Sequence, residues 1–440
     1  MLDWAASGAM ALTGFPEGVP VASPAPVLAM LDRVAGRFAR VTGETGTVVR
    51  ADPAELVAGR AAFAGLTRGG QVSAGGASFL LRSADGWCTV TLSRPDDLAA
   101  VPAIVGALGL DVAGLAGTHS VAEARDTLAA AALATPAEDF AAAAQLVGVP
   151  AAALPDGASS AAGAVSWPPW RAARIAAPLP GARLAGAVVA DLSSMWAGPL
   201  CARLLGLAGA DVIKVESPGR PDGARSGNRE FFDWLHGGHR SLAVDFGTRE
   251  GRAALAALLE SADVVIEASR PRALAAVGLA PDMIRHRPGQ VWLSITGYGR
   301  ATPGRVAFGD DAAAAGGLVG WTGDGPAAEP VFCADAIADP LAGVCGALAV
   351  ALSRAAGGGE LLDLSMRDVA AAFAAATAAD HGRHEILPGG SVTCPCSPAA
   401  QPVLPPRRPV FPSGSPARAA ELGEHTRAVL AWLAGQDAAC

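Results

Sequence analysis

The stretch Ala187-Val188-Val189-Ala190-Asp191-Leu192, followed by Asp211-Val212-Ile213-Lys214-Val215-Glu216, decides the fold class. Each is a short, nearly continuous apolar run, the pattern of a strand buried on both faces. Between them Ala197-Gly198-Pro199 opens a helical window over 197–209. The alternation continues with strand candidates at 241–245, 263–267 and 291–296 and helical windows at 248–261 and 271–286. Apolar strands alternating with amphipathic helices predict an α/β fold built on a parallel sheet covered on both sides.

Further along, the pattern predicts helices at 310–319 and 340–355, a strand at 360–365 and another helix to about 380. The segment 386–418 is rich in proline, glycine and serine and reads as an arm before a last helix at 418–434. Upstream, Gly75–Leu81 and Trp87–Leu92 flank Asp85-Gly86, a hairpin dipeptide. Alanine-rich helices follow over 121–155, and Pro168-Pro169, Pro178 and Pro180 mark a linker. The expected organisation is a smaller α+β region over 1–155, a linker over 156–183, a large α/β domain over 184–385 and an arm with a helix over 386–440.

The chain has 440 residues, 51% hydrophobic and 17% charged, with a net charge of −8. No basic stripe interleaves with aromatics, so nucleic acid is not an expected partner. A membrane partner is not expected either. The run 341–353 falls short of the roughly 18–20 apolar residues of a span, and Arg354 closes it. The N-terminus lacks a basic region before a leucine-rich core, so no secretory signal is expected. The seven cysteines are scattered and odd in number, which suits free thiols in a reducing cytoplasm.

Local chemistry leaves several features open. The βα connection at Ala197-Gly198-Pro199 offers helix N–H groups to an anion, but neither a dinucleotide nor a P-loop glycine signature is present. Asp339-Pro340 before an apolar helix reads as an N-cap with proline at N1, or as a partly desolvated carboxylate nucleophile, with Asp335 a competitor. Cys394-Pro395-Cys396 has the wrong spacing for zinc and no second pair, and His381 and His384 lie ten or more residues upstream. No metal site is expected.

Together these residues resemble family III CoA-transferases. The resemblance rests on Val188–Pro199, Leu205–Glu216, Arg240-Ser241 with Asp245, Ala262–Glu267, Gly297-Tyr298-Gly299, Trp321-Thr322-Gly323 and Ala338-Asp339 with Gly343, in order. Ser7–Gly14 is similar to a second copy of the segment echoed at 316–323, and Gly75–Leu92 is similar to the family's smaller domain. The resemblance implies a Rossmann-like large domain, with the small domain standing N-terminal to it in a permuted order.

It further implies that Asp339 attacks an acyl-CoA thioester, with a mixed anhydride and an aspartyl-CoA thioester as intermediates before a carboxylate acceptor takes over. Coenzyme A is then a substrate, with no tightly bound cofactor. Positions matching the relatives' CoA contacts are Met195, Trp196, Ala197, Ser217, His239, Arg240, Ala268 and Ser269. The formyl-CoA transferase pattern has glutamine at 196, arginine at 217, lysine at 239, Asn-Phe at 268–269 and arginine at 276, all of which differ here. Arg220, Arg225 and Arg270 are cations able to replace what is lost. The relatives imply a homodimer, possible as an interlocked one. α-Methylacyl-CoA racemases use a histidine in a Gly-His-Asp setting, and the matching Gly309-Asp310-Asp311 has none, which makes a racemase the weaker enzyme reading. A non-catalytic CoA-binding paralogue is the other alternative.

Overall fold

The computed structural model describes residues 1–112, 120–155, 166–323, 325, 327–377, 384–387, 390–395, 397–411 and 418–437. Its largest sheet has seven strands: β1 (Trp170–Arg174), β2 (Val188–Asp191), β3 (Asp211–Glu216), β4 (Arg240–Ala243), β5 (Val264–Glu267), β6 (Val291–Thr296) and β7 (Glu360–Ser365). Their spatial order is β1-β7-β6-β5-β2-β3-β4. All pairings are parallel except that of β1 with β7. The order reverses at β2, with β3 on one side and β5 on the other, and the loops after β2 and β5 diverge there. Such a point opens a crevice outside the carboxyl ends of the strands. The sheet is mixed α/β, as the apolar runs predict.

Helix Ala338–Ala355 lies in the main core, packed between helices Ala197–Leu207 and Val27–Thr45. It is long and apolar enough to cross a membrane, but 83% of it is buried within the protein. The expected segment 341–353 was too short because the helix starts earlier. Gly343 lets it approach its neighbour: a Cβ there would meet the Ala197 carbonyl oxygen at 2.7 Å.

Residues of the N-terminal helices, Leu31, Val34, Phe38, Leu56 and Phe63, share this core with Leu200, Leu293 and Leu348. A separate core around Phe79, Ile104, Leu128 and Phe140 holds a smaller unit. There strands Ser78–Arg82, Trp87–Thr91 and Ala151–Ala153 form an antiparallel sheet behind helices Val121–Leu133 and Ala137–Leu146. By packing, residues 2–63 thus lie with the large sheet, and only about 72–153 form the smaller unit.

Several expectations change. The helix foreseen at 271–286 ends at Ala276, because Gly278 takes φ +77° and Pro281 follows. The stretch read as linker contributes the edge strand β1. The proline-rich arm carries strands Glu385–Leu387, Ser391–Cys394 and Ser397–Pro402. Beyond them Leu404 N–H donates to the Ala5 carbonyl, and Arg407 pairs with Asp52 at 2.9 Å. The last helix, Thr426–Asp437, covers the edge of β4, where Ala243 N–H donates to Thr426 Oγ1. Cys88, Cys201, Cys333 and Cys345 are buried free thiols, whereas Cys394 is disulfide-bonded, contrary to the expectation of free thiols throughout. His381 and Cys396 lie outside the described residues.

Candidate active site

Asp339 does not cap its own helix. The helix begins at Ala338 with Ile337 as N-cap and no side-chain capping bond. Instead the Asp339 carboxylate faces the backbone N–H of Ala197, the first residue of the neighbouring helix, which helps to hold its pKa down. Proline at 340 starts the helix cheaply, and the carboxylate is left facing another element. Gly309 makes room for it: a side chain there would run into Asp339 Oδ2 and the Ala336 carbonyl.

Around Asp339 lie three charged groups, Arg60 and Asp310 from other segments and Asp335 from just before its own helix. Arg60, on helix Pro53–Ala64, forms two hydrogen bonds with Asp335, at 2.8 and 2.5 Å, and its guanidinium lies 5.3 Å from the Trp196 ring centroid. Asp310 accepts the Ala336 N–H at 2.9 Å and the Ser78 hydroxyl at 3.0 Å. Behind it Asp311 accepts from Thr91 Oγ1 at 3.0 Å and caps its own helix through Phe308 N–H. Ser78 and Thr91 belong to the smaller unit, so both units build the site.

Asp335 is fully buried, while Asp339 and Asp310 are partly open to solvent. Burial pushes Asp339 up to about 7, with Arg60 pulling it down and Asp310 and Asp335 pushing it further up. Asp310 is raised to about 6 by burial and by Asp335, and Asp311 to about 8, chiefly by burial. Burial works against the Arg60 charge, but Asp335, then Asp310 and Asp339, hold it protonated. Unusual backbone also concentrates here. The only non-glycine residues with positive φ among those described are Met195 (73°), Ala334 (54°) and Ala336 (42°). They flank Trp196 and Asp335. Strain of this kind persists where the surroundings over-determine it, and Ala334 N–H is fixed by Thr13 Oγ1 at 3.0 Å.

The loop after β2 is held from below by a buried polar network. Lys214 on β3 donates to Asp222 at 2.8 Å and to the Ser193 carbonyl, and Met195 N–H donates to Asp222 Oδ1 at 3.0 Å. Burial pulls the Lys214 pKa down, but Asp191 and Asp222 outweigh it. Loop position is therefore set by a fully paired ion, which leaves Met195 exposed and Trp196 buried with its indole N–H unpartnered.

Of the residues matched to CoA contacts, the fold brings Met195, Trp196, Ala197, Ser217, Ala268 and Ser269 to the carboxyl ends of β2, β3 and β5. His239 and Arg240 are not brought there. His239 is 8% exposed, and burial with the charges of Arg203 and Lys214 pushes it down to about 3, so it is neutral. Arg240 opens β4 and is ion-paired with Asp211, at the start of β3. Arg225 is likewise engaged, by Glu216 at 2.6 Å. Sequence reasoning missed Arg60 and Asp310. Arg60 lies 275 residues from Asp335 and carries no local signature, whereas Asp310 sat in a stretch read only for a missing histidine. Among the described residues no group of three metal-ligating side chains occurs.

Fold and site define an α/β protein with a carboxylate–arginine centre beside the crevice of a parallel sheet. Residues 184–403, half of the chain, match CoA-transferase family III, and the chain belongs to that family. An acyl-CoA transferase of Fusarium pseudograminearum is 34% identical over 159 residues, 32% of this chain and 35% of the relative. The formyl-CoA:oxalate CoA-transferase of Escherichia coli O139:H28 is 33% identical over 201 residues, 42% of this chain and 48% of that enzyme. The chain thus spans about half, or less, of the length of the curated relatives it matches. A CAIB/BAIF family protein of Brucella suis with a solved structure is 31% identical, covering 44% of this chain and 55% of that one, at a TM-score of 0.38.

Proposed function

We propose that this protein transfers coenzyme A from an acyl-CoA to a carboxylic acid in the cytoplasm, with Asp339 as nucleophile. One observation carries the reading. Asp339 is a partly exposed residue whose carboxylate spends no hydrogen bond on its own helix and lies against the Ala197 N–H, in the loop matched to CoA contacts.

Asp339 Oδ attacks the thioester carbonyl carbon; a C–O bond forms, the C–S bond breaks, and CoA leaves as thiolate. The thiolate then attacks the Asp339 carbonyl of the mixed anhydride, releasing the donor's carboxylate and leaving an aspartyl-CoA thioester. An acceptor carboxylate attacks that thioester, and the thiolate released attacks the acceptor's carbonyl, which regenerates Asp339. Each step places negative charge on an oxygen near the nucleophile. Arg60, whose charge acts on Asp339, is a donor beside that region, and such preorganised donors stabilise a developing oxyanion. An acceptor carboxylate also suits Arg60.

The test is covalent trapping. Incubation with a panel of acyl-CoA donors and hydroxylamine or borohydride, read by mass spectrometry, should modify Asp339, and Asp339→Asn should give no adduct while still binding CoA. A wild-type protein that binds CoA but gives no adduct with any donor would overturn the nucleophile. A second reading, proton transfer at the acyl α-carbon, draws on Asp310, whose raised carboxyl lies in the same cluster. Deuterium exchange at that carbon without CoA transfer would favour it. Relatives of this family imply a homodimer, and gel filtration with light scattering tests that.

A further inference from the structure

The segment 306–311 forms one wall of the Asp339 site, and it enters from an exposed turn at 301–304 rather than from a strand. Its first backbone groups therefore need partners from another element. One side chain of the smaller unit supplies them. Gln145, in the last turn of helix Ala137–Leu146, accepts the Val306 N–H at 2.9 Å and donates to the Val306 carbonyl at 2.8 Å. It also donates to the carbonyl of Ala151, the first residue of strand Ala151–Ala153, at 2.8 Å. The amide oxygen and both amide hydrogens are thus engaged. Gln145 pairs with Val306 in the manner of a neighbouring antiparallel strand.

The same unit holds the segment again further along. The Arg94 guanidinium lies 5.6 Å from the Phe308 ring centroid, Ser78 donates to Asp310 at 3.0 Å, and Thr91 donates to Asp311 at 3.0 Å. Leu80 and Leu154 of the smaller unit share an apolar cluster with Ala314, Val319 and Phe332. On the opposite side Gly297, just after β6, lets the segment lie close: a Cβ there would meet the Ala307 nitrogen at 2.7 Å. Between these supports Gly309 faces Asp339 Oδ2, with no room for a side chain. Gln145 differs from the other anchors. It is uncharged, half-buried and bonded only to backbone, at a residue three positions before Gly309, so it acts by placing the chain.

We propose that Gln145 is a positioning residue for the reaction at Asp339, holding Val306 so that Gly309 closes against the carboxylate and keeps water from it. This deepens the transferase reading and rests on it. Asp339 is influenced by burial first, then by Arg60, Asp310 and Asp335. A wall that swings away admits water, relieves the burial and lets the carboxylate ionise more easily.

The experiment uses full-length Gln145→Met, which keeps the length of the side chain and removes its three hydrogen bonds. Steady-state kinetics with a fixed acyl-CoA and acceptor are read beside carbodiimide labelling of Asp339 across pH, followed by mass spectrometry, which needs no turnover. In the variant kcat should fall at least about tenfold while KM changes less than about twofold, since a misplacement of about 1 Å costs up to about a hundredfold. Labelling, which requires the protonated carboxyl, should fall away through about 7 in the wild type and at lower pH in the variant. Gln145→Glu serves as the second variant where Gln145→Met does not fold; at alkaline pH its carboxylate faces two carbonyl oxygens and should give the same loss of kcat. A folded variant with wild-type kcat and an unmoved labelling midpoint, even at a lowered melting temperature, would overturn the proposal and leave Gln145 a purely structural residue. A wild type that moves no CoA from any donor would overturn the transferase reading, and the labelling midpoints would still decide whether Gln145 places the wall at Asp339.

Discussion

At the scale of single residues, the nucleophile proposed here, Asp339, can attack only when ionised, and its surroundings work against that. Burial raises it to about 7, and Arg60 is the group that pulls it back. The rate with a fixed acyl-CoA should therefore climb with pH through about 7. Arg60→Ala should move that limb to higher pH, because the counter-charge is gone; kcat/KM against pH reads this, and an unmoved limb rejects the role given to Arg60. Stability should run the other way. Asp310, Asp311 and Asp339 hold a proton more tightly in the folded chain than in the unfolded one, where the carboxyl value is 3.8. Their contribution is complete below about 3.8 and is lost as pH rises through 6 to 8. Melting temperature should fall between pH 5 and pH 8, and Asp311→Asn should flatten the decline; an equally steep variant would exclude Asp311. Asp339 stood out in the sequence only as the end of an ordered set of motifs, because its local setting favours a cap. Its partner Arg60 was not legible at all, since nothing within helix Pro53–Ala64 signals a contact made in space.

Secondary-structure elements position these residues through close approach. The strands at 211–216, 291–296 and 360–365 were readable to the residue, since each is an apolar run closed by polar neighbours. What the pattern cannot carry is the distance between two helices. Gly343 sets it here: an added Cβ would meet Leu200 Cβ at 3.0 Å as well as the Ala197 carbonyl. Gly343→Ala must push helices Ala338–Ala355 and Ala197–Leu207 apart, which costs about 1–3 kcal/mol in a packed core. Because the Asp339 carboxylate faces the Ala197 N–H, the same shift should lower kcat more than it raises KM. Denaturant melts and steady-state kinetics on one variant read both effects. A destabilised protein with wild-type kcat would show that the helix contact does not position the nucleophile.

Across the whole molecule, the boundary of the family match and the boundary of the fold do not coincide. Residues 184–403 carry the sheet, the β2 loop and Asp339, but Arg60, Ser78 and Thr91 come from outside that range. Composition marked the N-terminal third as a separate texture without showing that its first 64 residues pack into the main core. Alanine-rich helices look alike whether they cover a sheet or build their own unit. Here the difference is made by Leu31, Val34 and Phe38, which lie at most 2% exposed in the core shared with Leu348. Removing residues 1–65 would bare that face of helix Ala338–Ala355, an apolar surface that water does not tolerate. A chain of residues 66–440 should therefore aggregate or melt without a cooperative transition, and adding residues 1–65 as a separate peptide should restore part of the fold. If the shortened chain melts cooperatively at the wild-type temperature, the N-terminal helices are an accessory layer and Arg60 reaches the site from a dispensable segment.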